Sequence, residues 1–137
     1  VAKVYTFDSF AILALLGDEG GSAQVVEILQ KAQEGQVRVL MTWVNVGEVA
    51  YIVERRWGKD RVAQVLGTLE ATTIEIVPIG RALTLAAAHI KAEHPLAYAD
   101  AFAAALAEQE RATLVTGDPE FETLQDRLSI QWITSGA

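Results

Sequence analysis

Residues 97–121 read AYADAFAAALAEQERATLVTGDPEF. The alanines at 99, 101, 103, 104, 105 and 107 fit a helix that packs closely against its neighbours. The run TLVT at 113–116 is β-rich, and Gly117-Asp118 ends it. A helix feeding straight into a strand is half of an α/β unit. Asp100 opens this helix and Asp118 closes this strand. Neither has a basic residue within four positions, so local ion pairing does not account for them.

Working outward, the same alternation recurs. KVYTF (3–7) reads as a strand leading into Asp8, and 9–16 as a short buried helix ended by Gly17. Ser22 is placed to cap a second helix with Val25, Val26, Ile28 and Leu29 on its inner side, stopped by Gly35. VRVLMT (37–42) reads as a strand. Over 44–57 apolar residues recur at three and four (Val46, Val49, Ala50, Val53), which predicts a helix despite the valines. A helix over 59–70 follows Gly58, and a strand over 73–77 ends at Pro78. A helix over 81–93 stops before Pro95, which disfavours the α region at His94. A short helical stretch near 119–126 and a strand near 129–133 complete the chain. Five strands alternating with helices predict an α/β fold of three layers, α/β/α: a doubly wound, mostly parallel five-stranded sheet.

The 137 residues suit a single domain spanning 1–137. Hydrophobic residues make up 51% of the chain and mean hydropathy is +0.23, enough for a full core and a surplus for a partner's surface. No run approaches the ~18 apolar residues of a membrane span. VAKVYTFDSF lacks the pattern of a secretory leader, and cysteine is absent. These point to a cytoplasmic protein without disulfides or thiolate metal sites. Net charge is −7. That argues against holding duplex DNA by blanket phosphate neutralisation, but not against nucleic-acid chemistry at a metal centre, where cations bring their own charge.

In a doubly wound sheet, strand C-termini and helix N-termini share one edge, where ligands bind. Asp8 follows the first strand and Asp118 the fourth. Asp100 lies in the first turn of the helix before the fourth strand. Glu48 lies in the second turn of the helix after the second strand, its side chain leaning back toward the N-terminus. Four acids from four segments thus map to one edge. Carboxylates at close quarters repel unless protonated or neutralised by cations. Oxygen-only donors suit Mg²⁺ or Mn²⁺. Such a cluster is the apparatus of metal-assisted phosphodiester hydrolysis.

Four stretches carry a family resemblance: YTFDSFAILALL around Asp8, MTWVNVGEVAYIV around Glu48, LAYADAFAAALA around Asp100 and LVTGDPEF around Asp118. With its acids in this order and spacing, the chain resembles the PIN-domain family, and within it the VapC-like toxins of toxin–antitoxin pairs. The resemblance implies a metal-dependent endoribonuclease, inhibited by a cognate antitoxin and commonly a homodimer. It makes Asp8, Glu48, Asp100 and Asp118 the catalytic and metal-binding quartet. Thr116 matches a hydroxyl position beside the last acid, and Asn45 a polar position one turn before the glutamate. Many members carry an aspartate two residues after the last acid, where this chain has Glu120, which either reaches the metal through water or caps a helix.

Each acid also has an ordinary structural use. Asp8 suits a helix N-cap, Asp100 a first turn, and Asp118-Pro119 a helix start. Glu48, among Val44, Val46, Val49 and Ala50, needs a cation or a distant arginine. Thr116 is also an ordinary strand end and Asn45 an ordinary cap. The one dense basic stretch, ERRWGKDR (54–61), sets Arg55, Arg56, Lys59 and Arg61 around Trp57. It suits single-stranded RNA, a partner contact or a solvated helix end. Alternative functions are a non-catalytic interaction scaffold of the same fold, or a small-molecule phosphohydrolase using Asp8 as nucleophile. The latter pattern wants a second aspartate where Phe10 stands. A groove between the helices at 22–34 and 44–57 is the place expected to receive an antitoxin helix.

Overall fold

The computed structural model describes residues 2–17 and 20–134. Five strands form one sheet: β1 (Lys3–Phe7), β2 (Val37–Thr42), β3 (Glu75–Val77), β4 (Thr113–Thr116) and β5 (Ile130–Trp132). Six α-helices connect them: α1 (Ser9–Leu16), α2 (Ser22–Gln33), α3 (Trp43–Trp57), α4 (Lys59–Ala71), α5 (Arg81–Glu93) and α6 (Tyr98–Glu110). A 3-10 turn, Pro119–Leu124, lies between β4 and β5.

The strand order is β3-β2-β1-β4-β5 and every pairing is parallel. From β1 the chain winds outward through β2 to β3, then returns to the other side of β1 for β4 and β5. The winding reverses between β1 and β4, and a crevice opens at the strand ends there. Asp8 and Asp118 leave the sheet on either side of it.

Strand periodicity divides the core in two. Tyr5, Phe7, Val39, Met41 and Val115 face α1 to α4, meeting Ile12, Val25, Ile28, Val46, Val49 and Val65. Leu40 and Leu114 face α5, α6 and the 3-10 turn, meeting Leu83, Ile90, Phe102, Phe121 and Leu124. This is the expected three-layer α/β/α arrangement. Every residue of α6 from Asp100 to Ala107 is buried. The alanines allow this close packing, which holds the helix start and its Asp100 firmly at the sheet edge.

The structure shortens or shifts some expected elements. β3 begins at Glu75 instead of 73, pinned to β2 by a bidentate Arg38–Glu75 pair at 2.9 and 2.7 Å. The N-cap of α2 is Gly21, with Ser22 the first helical residue. The helical stretch after Asp118 is 3-10 and ends at Leu124. Gly58, at φ 90°, joins α3 to α4 in a conformation that a side chain would strain. α3 packs against α4, α6 and α1, while α2 packs on α1 and β2. No helix among the described residues is long and apolar enough to cross a membrane.

Candidate functional site

Asp8 terminates β1 and caps α1, its Oδ1 accepting from the Ala11 N–H at 3.0 Å. Its Oδ2 accepts from the Thr116 hydroxyl at 2.5 Å. The same hydroxyl accepts from the Asp118 N–H at 3.0 Å, so Thr116 ties together the two chain segments beside the crevice. Asp118 caps the 3-10 turn by accepting from the Glu120 N–H at 2.9 Å, with Pro119 following it. The ordinary structural uses of Asp8 and Asp118 are therefore real. They are compatible with a site because each cap leaves carboxylate lone pairs free.

Gly117 is required by close approach. A Cβ there would lie 2.4 Å from the Ile133 carbonyl and 2.3 Å from the Phe10 ring. Only glycine lets the chain turn between Thr116 and Asp118 against β5.

On the other flank, Thr42 caps α3. Its hydroxyl accepts from the Asn45 N–H at 3.0 Å and donates to Asn45 Oδ1 at 2.6 Å. Asn45 is thus not the cap. It is fully buried in the first turn of α3, and its Nδ2 donates to the Ala99 carbonyl at 3.1 Å. That bond fastens α3 to the start of α6, one residue before Asp100. Glu48, half-buried, accepts from the Ser9 hydroxyl. A hydroxyl next to Asp8 is its recorded partner, not the distant arginine that a structural role would require.

Asp100, Asp118 and Glu120 bring carboxylate oxygens within 4.8 Å of one another. Oxygens bound to one ion at about 2.0–2.6 Å lie within such a span. Glu120 also accepts from the Ala97 N–H at 3.0 Å, so it ties the 3-10 turn to the residue before α6 and joins the acidic group at once. Asp8 and Glu48 stand outside this tight group but within its electrostatic reach. Burial, above all, pushes the Asp100 carboxyl up to about 8, and the charges of Asp118, Asp8, Glu48 and Glu120 add to it. Burial pushes Asp8 up to about 7; hydrogen bonds from Thr116 and Ala11 oppose this, while Asp118 and Glu48 reinforce it. The chain has gathered acids that resist ionising together. The segments that carry them (8–11, 42–48, 96–101 and 116–121) contain no lysine or arginine. The all-oxygen donor set fits a hard divalent cation, which would offset that repulsion.

Arg55, Arg56, Trp57, Lys59 and Arg61 are exposed, with Arg55 over the Tyr51 ring at 5.2 Å and Arg56 over Trp57 at 5.9 Å. Trp57 lies nine residues beyond Glu48, about 14 Å along the helix axis, so this stretch is not part of the acidic cluster. Sequence reasoning missed three contributors: Ser9, Thr42 and Gly117. Thr42 was legible as a threonine three residues before Asn45 at a strand–helix boundary, a capping signature.

The family model for the PIN domain matches residues 5–126. The chain belongs to the PIN domain family. Its fold is similar to VapBC2 from Rickettsia felis bound to a promoter DNA fragment, with a TM-score of 0.73 at 18% identity over 96% of this chain and 99% of that one. It is equally similar to DNA-bound VapBC from Salmonella typhimurium, with a TM-score of 0.74 at 17% identity over 96% and 98%. A third likeness is VapC20 from Mycobacterium tuberculosis, a sarcin-ricin loop cleaving toxin, with a TM-score of 0.64 at 16% identity over 87% and 93%. No curated protein sequence matches the chain significantly.

Proposed function

We propose that this protein is a metal-dependent endoribonuclease, the toxin of a toxin–antitoxin pair, acting in the cytoplasm. One observation carries the reading: acids from separate segments converge at the crevice between β1 and β4, and the segments bearing them contain no lysine or arginine. Membership of the PIN domain family and the fold likeness to VapC20 support it. Similarity to proteins solved as VapBC complexes supports a cognate antitoxin as partner.

Asp100, Asp118 and Glu120 would hold Mg²⁺ or Mn²⁺, with Asp8 and Glu48 joining them directly or through water. Such a cation supplies positive charge for water activation and for the leaving 3′ oxygen. The chain's own residues do the positioning. Thr116 fixes the Asp8 carboxylate, Asn45 fixes the start of α6, and Ser9 orients Glu48. Phe10 stands where a small-molecule phosphohydrolase using Asp8 would want a second aspartate, which weighs against that reading. Arg55, Arg56, Trp57, Lys59 and Arg61 offer a contact for RNA or for the partner, and a homodimer is the expected assembly.

The test is cleavage of a labelled single-stranded RNA panel by antitoxin-free protein in Mn²⁺, Mg²⁺ and EDTA, beside Asp100→Asn. Cutting that needs the metal, and that falls at least ~100-fold in the variant, is the expected result. Equal cutting by both proteins would mark a contaminant. Absence of both cutting and Mn²⁺ binding by calorimetry would leave the scaffold function.

A further inference from the structure

None of the three tryptophans enters the core; Trp43, Trp57 and Trp132 are 45%, 50% and 37% exposed. Two of them stand on the edge that carries the acids. Trp43 follows Thr42, the cap of α3. Trp132 ends β5 in register with Thr116, and parallel pairing puts both side chains on the same sheet face. Tyr98, 46% exposed, opens α6 two residues before Asp100. Its ring packs on Phe102 at 4.9 Å between centroids, which fixes it as a platform.

The strand order places β1 and β4, with Asp8 and Asp118, between β2 and β5. Trp43 and Trp132 therefore straddle the acids, three strand spacings or about 14 Å apart. Segments 8–11, 42–48, 96–101, 116–121 and 130–134 offer no lysine or arginine to a nucleic-acid strand entering here, and the Lys91 ammonium that reaches the edge is engaged with the Leu96 carbonyl at 2.8 Å. With little free positive charge on the edge, its exposed aromatics offer stacking on the bases as the main protein contact.

We propose that Trp43, Tyr98 and Trp132 form a base-stacking rim that holds unpaired nucleobases of the RNA on either side of the acidic cluster. This rests on the nuclease function proposed above. Stacking on an aromatic face requires an unpaired base and tolerates any base, so the rim selects single-stranded over duplex RNA.

The test uses fluorescence anisotropy of a labelled single-stranded RNA, and of the same strand made abasic, with Mn²⁺ and an Asp100→Asn parent. Trp43→Ala and Trp132→Ala are each expected to weaken binding of the intact strand about tenfold, with Trp→Phe restoring most of it. The abasic strand should bind weakly to the parent and be indifferent to the substitutions. In the cutting-competent protein the same changes should raise KM about tenfold while kcat moves less than about threefold. Equal binding of intact and abasic strands, parental affinity in the alanine variants, or no binding of either strand would overturn the rim. So would capture of an apolar helical peptide, and not RNA, through Trp43, which would make the edge a protein contact. If the protein binds bases through the rim yet cuts no RNA, the nuclease function fails and the rim stands.

Discussion

Thr6 and Thr116 are both fully buried and both face α6, yet the fold treats their hydroxyls in opposite ways. Thr6 pairs in register with Leu114, and Thr116 lies two residues farther along β4, about 7 Å nearer the edge. The Thr116 hydroxyl donates to Asp8 and accepts from Asp118. The Thr6 hydroxyl has no hydrogen-bond partner among the described residues. One threonine is part of a polar network, the other a β-branched filler with an orphaned oxygen. Distance to the crevice decides which. At the edge a buried hydroxyl organises carboxylates; one register step inside, it only occupies volume.

The largest effect expected from this contrast is at Thr116. Thr116→Val keeps the shape but leaves Asp8 Oδ2 and the Asp118 N–H without their partner. Single-turnover RNA cleavage should fall about 100-fold, and urea unfolding should show a loss of about 2 kcal/mol. Thr116→Ser should retain most of both. Unchanged cleavage in the valine variant would reduce Thr116 to the status of Thr6.

Next comes pH. Asp8 and Asp100 titrate in the folded protein at about 7 and about 8, against 3.8 as the ordinary value. Between those limits the folded state binds more protons than the unfolded state. Stability must therefore fall as pH rises from about 4 to 8. In EDTA we expect Tm to fall steadily between pH 5 and 8, read by calorimetry. Mn²⁺ should raise Tm more at pH 8 than at pH 5 and release protons on binding. Thr116→Val should extend the decline to higher pH, because the lost hydrogen bond had lowered the Asp8 value. A Tm that rises from pH 5 to 8 in EDTA would contradict the buried carboxylates.

A smaller effect belongs to the other flank. Asn45→Ala removes the tie from α3 to the Ala99 carbonyl, which then keeps only its bond within α6. Denaturant titration should give a cost of about 1.5 kcal/mol. An effect under ~0.5 kcal/mol would mean that α6 is placed by its alanine packing alone.

Much of this was legible in the chain. Helix–strand alternation gave the three-layer sheet, because apolar period and glycine breaks report local structure directly. The convergence of Asp8, Asp100 and Asp118 on one edge followed from topology alone. The pairings did not. Nothing in the string separates Thr6 from Thr116, since both are threonines in β-rich runs and only strand register decides which meets a carboxylate. Glu120 was ambiguous for the same reason: its contact with the Ala97 N–H spans 23 residues of sequence. The alternative use of Asn45 as a cap fails because Thr42, assigned to the strand, holds that position. Cap identity turns on one residue of boundary, the least certain feature of any sequence reading. The strand order, and with it the straddling of the acids by Trp43 and Trp132, required the fold itself.

The smallest effect is the sharpest check on the contrast. Thr6→Val replaces an unpartnered hydroxyl with a methyl group of nearly the same size. In water the hydroxyl is solvated, and on folding it loses that solvation without a protein partner. The valine loses nothing comparable and has the higher β propensity. Urea unfolding should therefore show a change between zero and about 1 kcal/mol in favour of the variant, with RNA cleavage unaltered. A destabilisation beyond ~1 kcal/mol would mean that Thr6 has a partner of its own, a bound water bridging toward Asp8 being the nearest chemistry. The polar network of the crevice would then extend one register step into the sheet, and the boundary between organising and filling threonines would lie below Thr6.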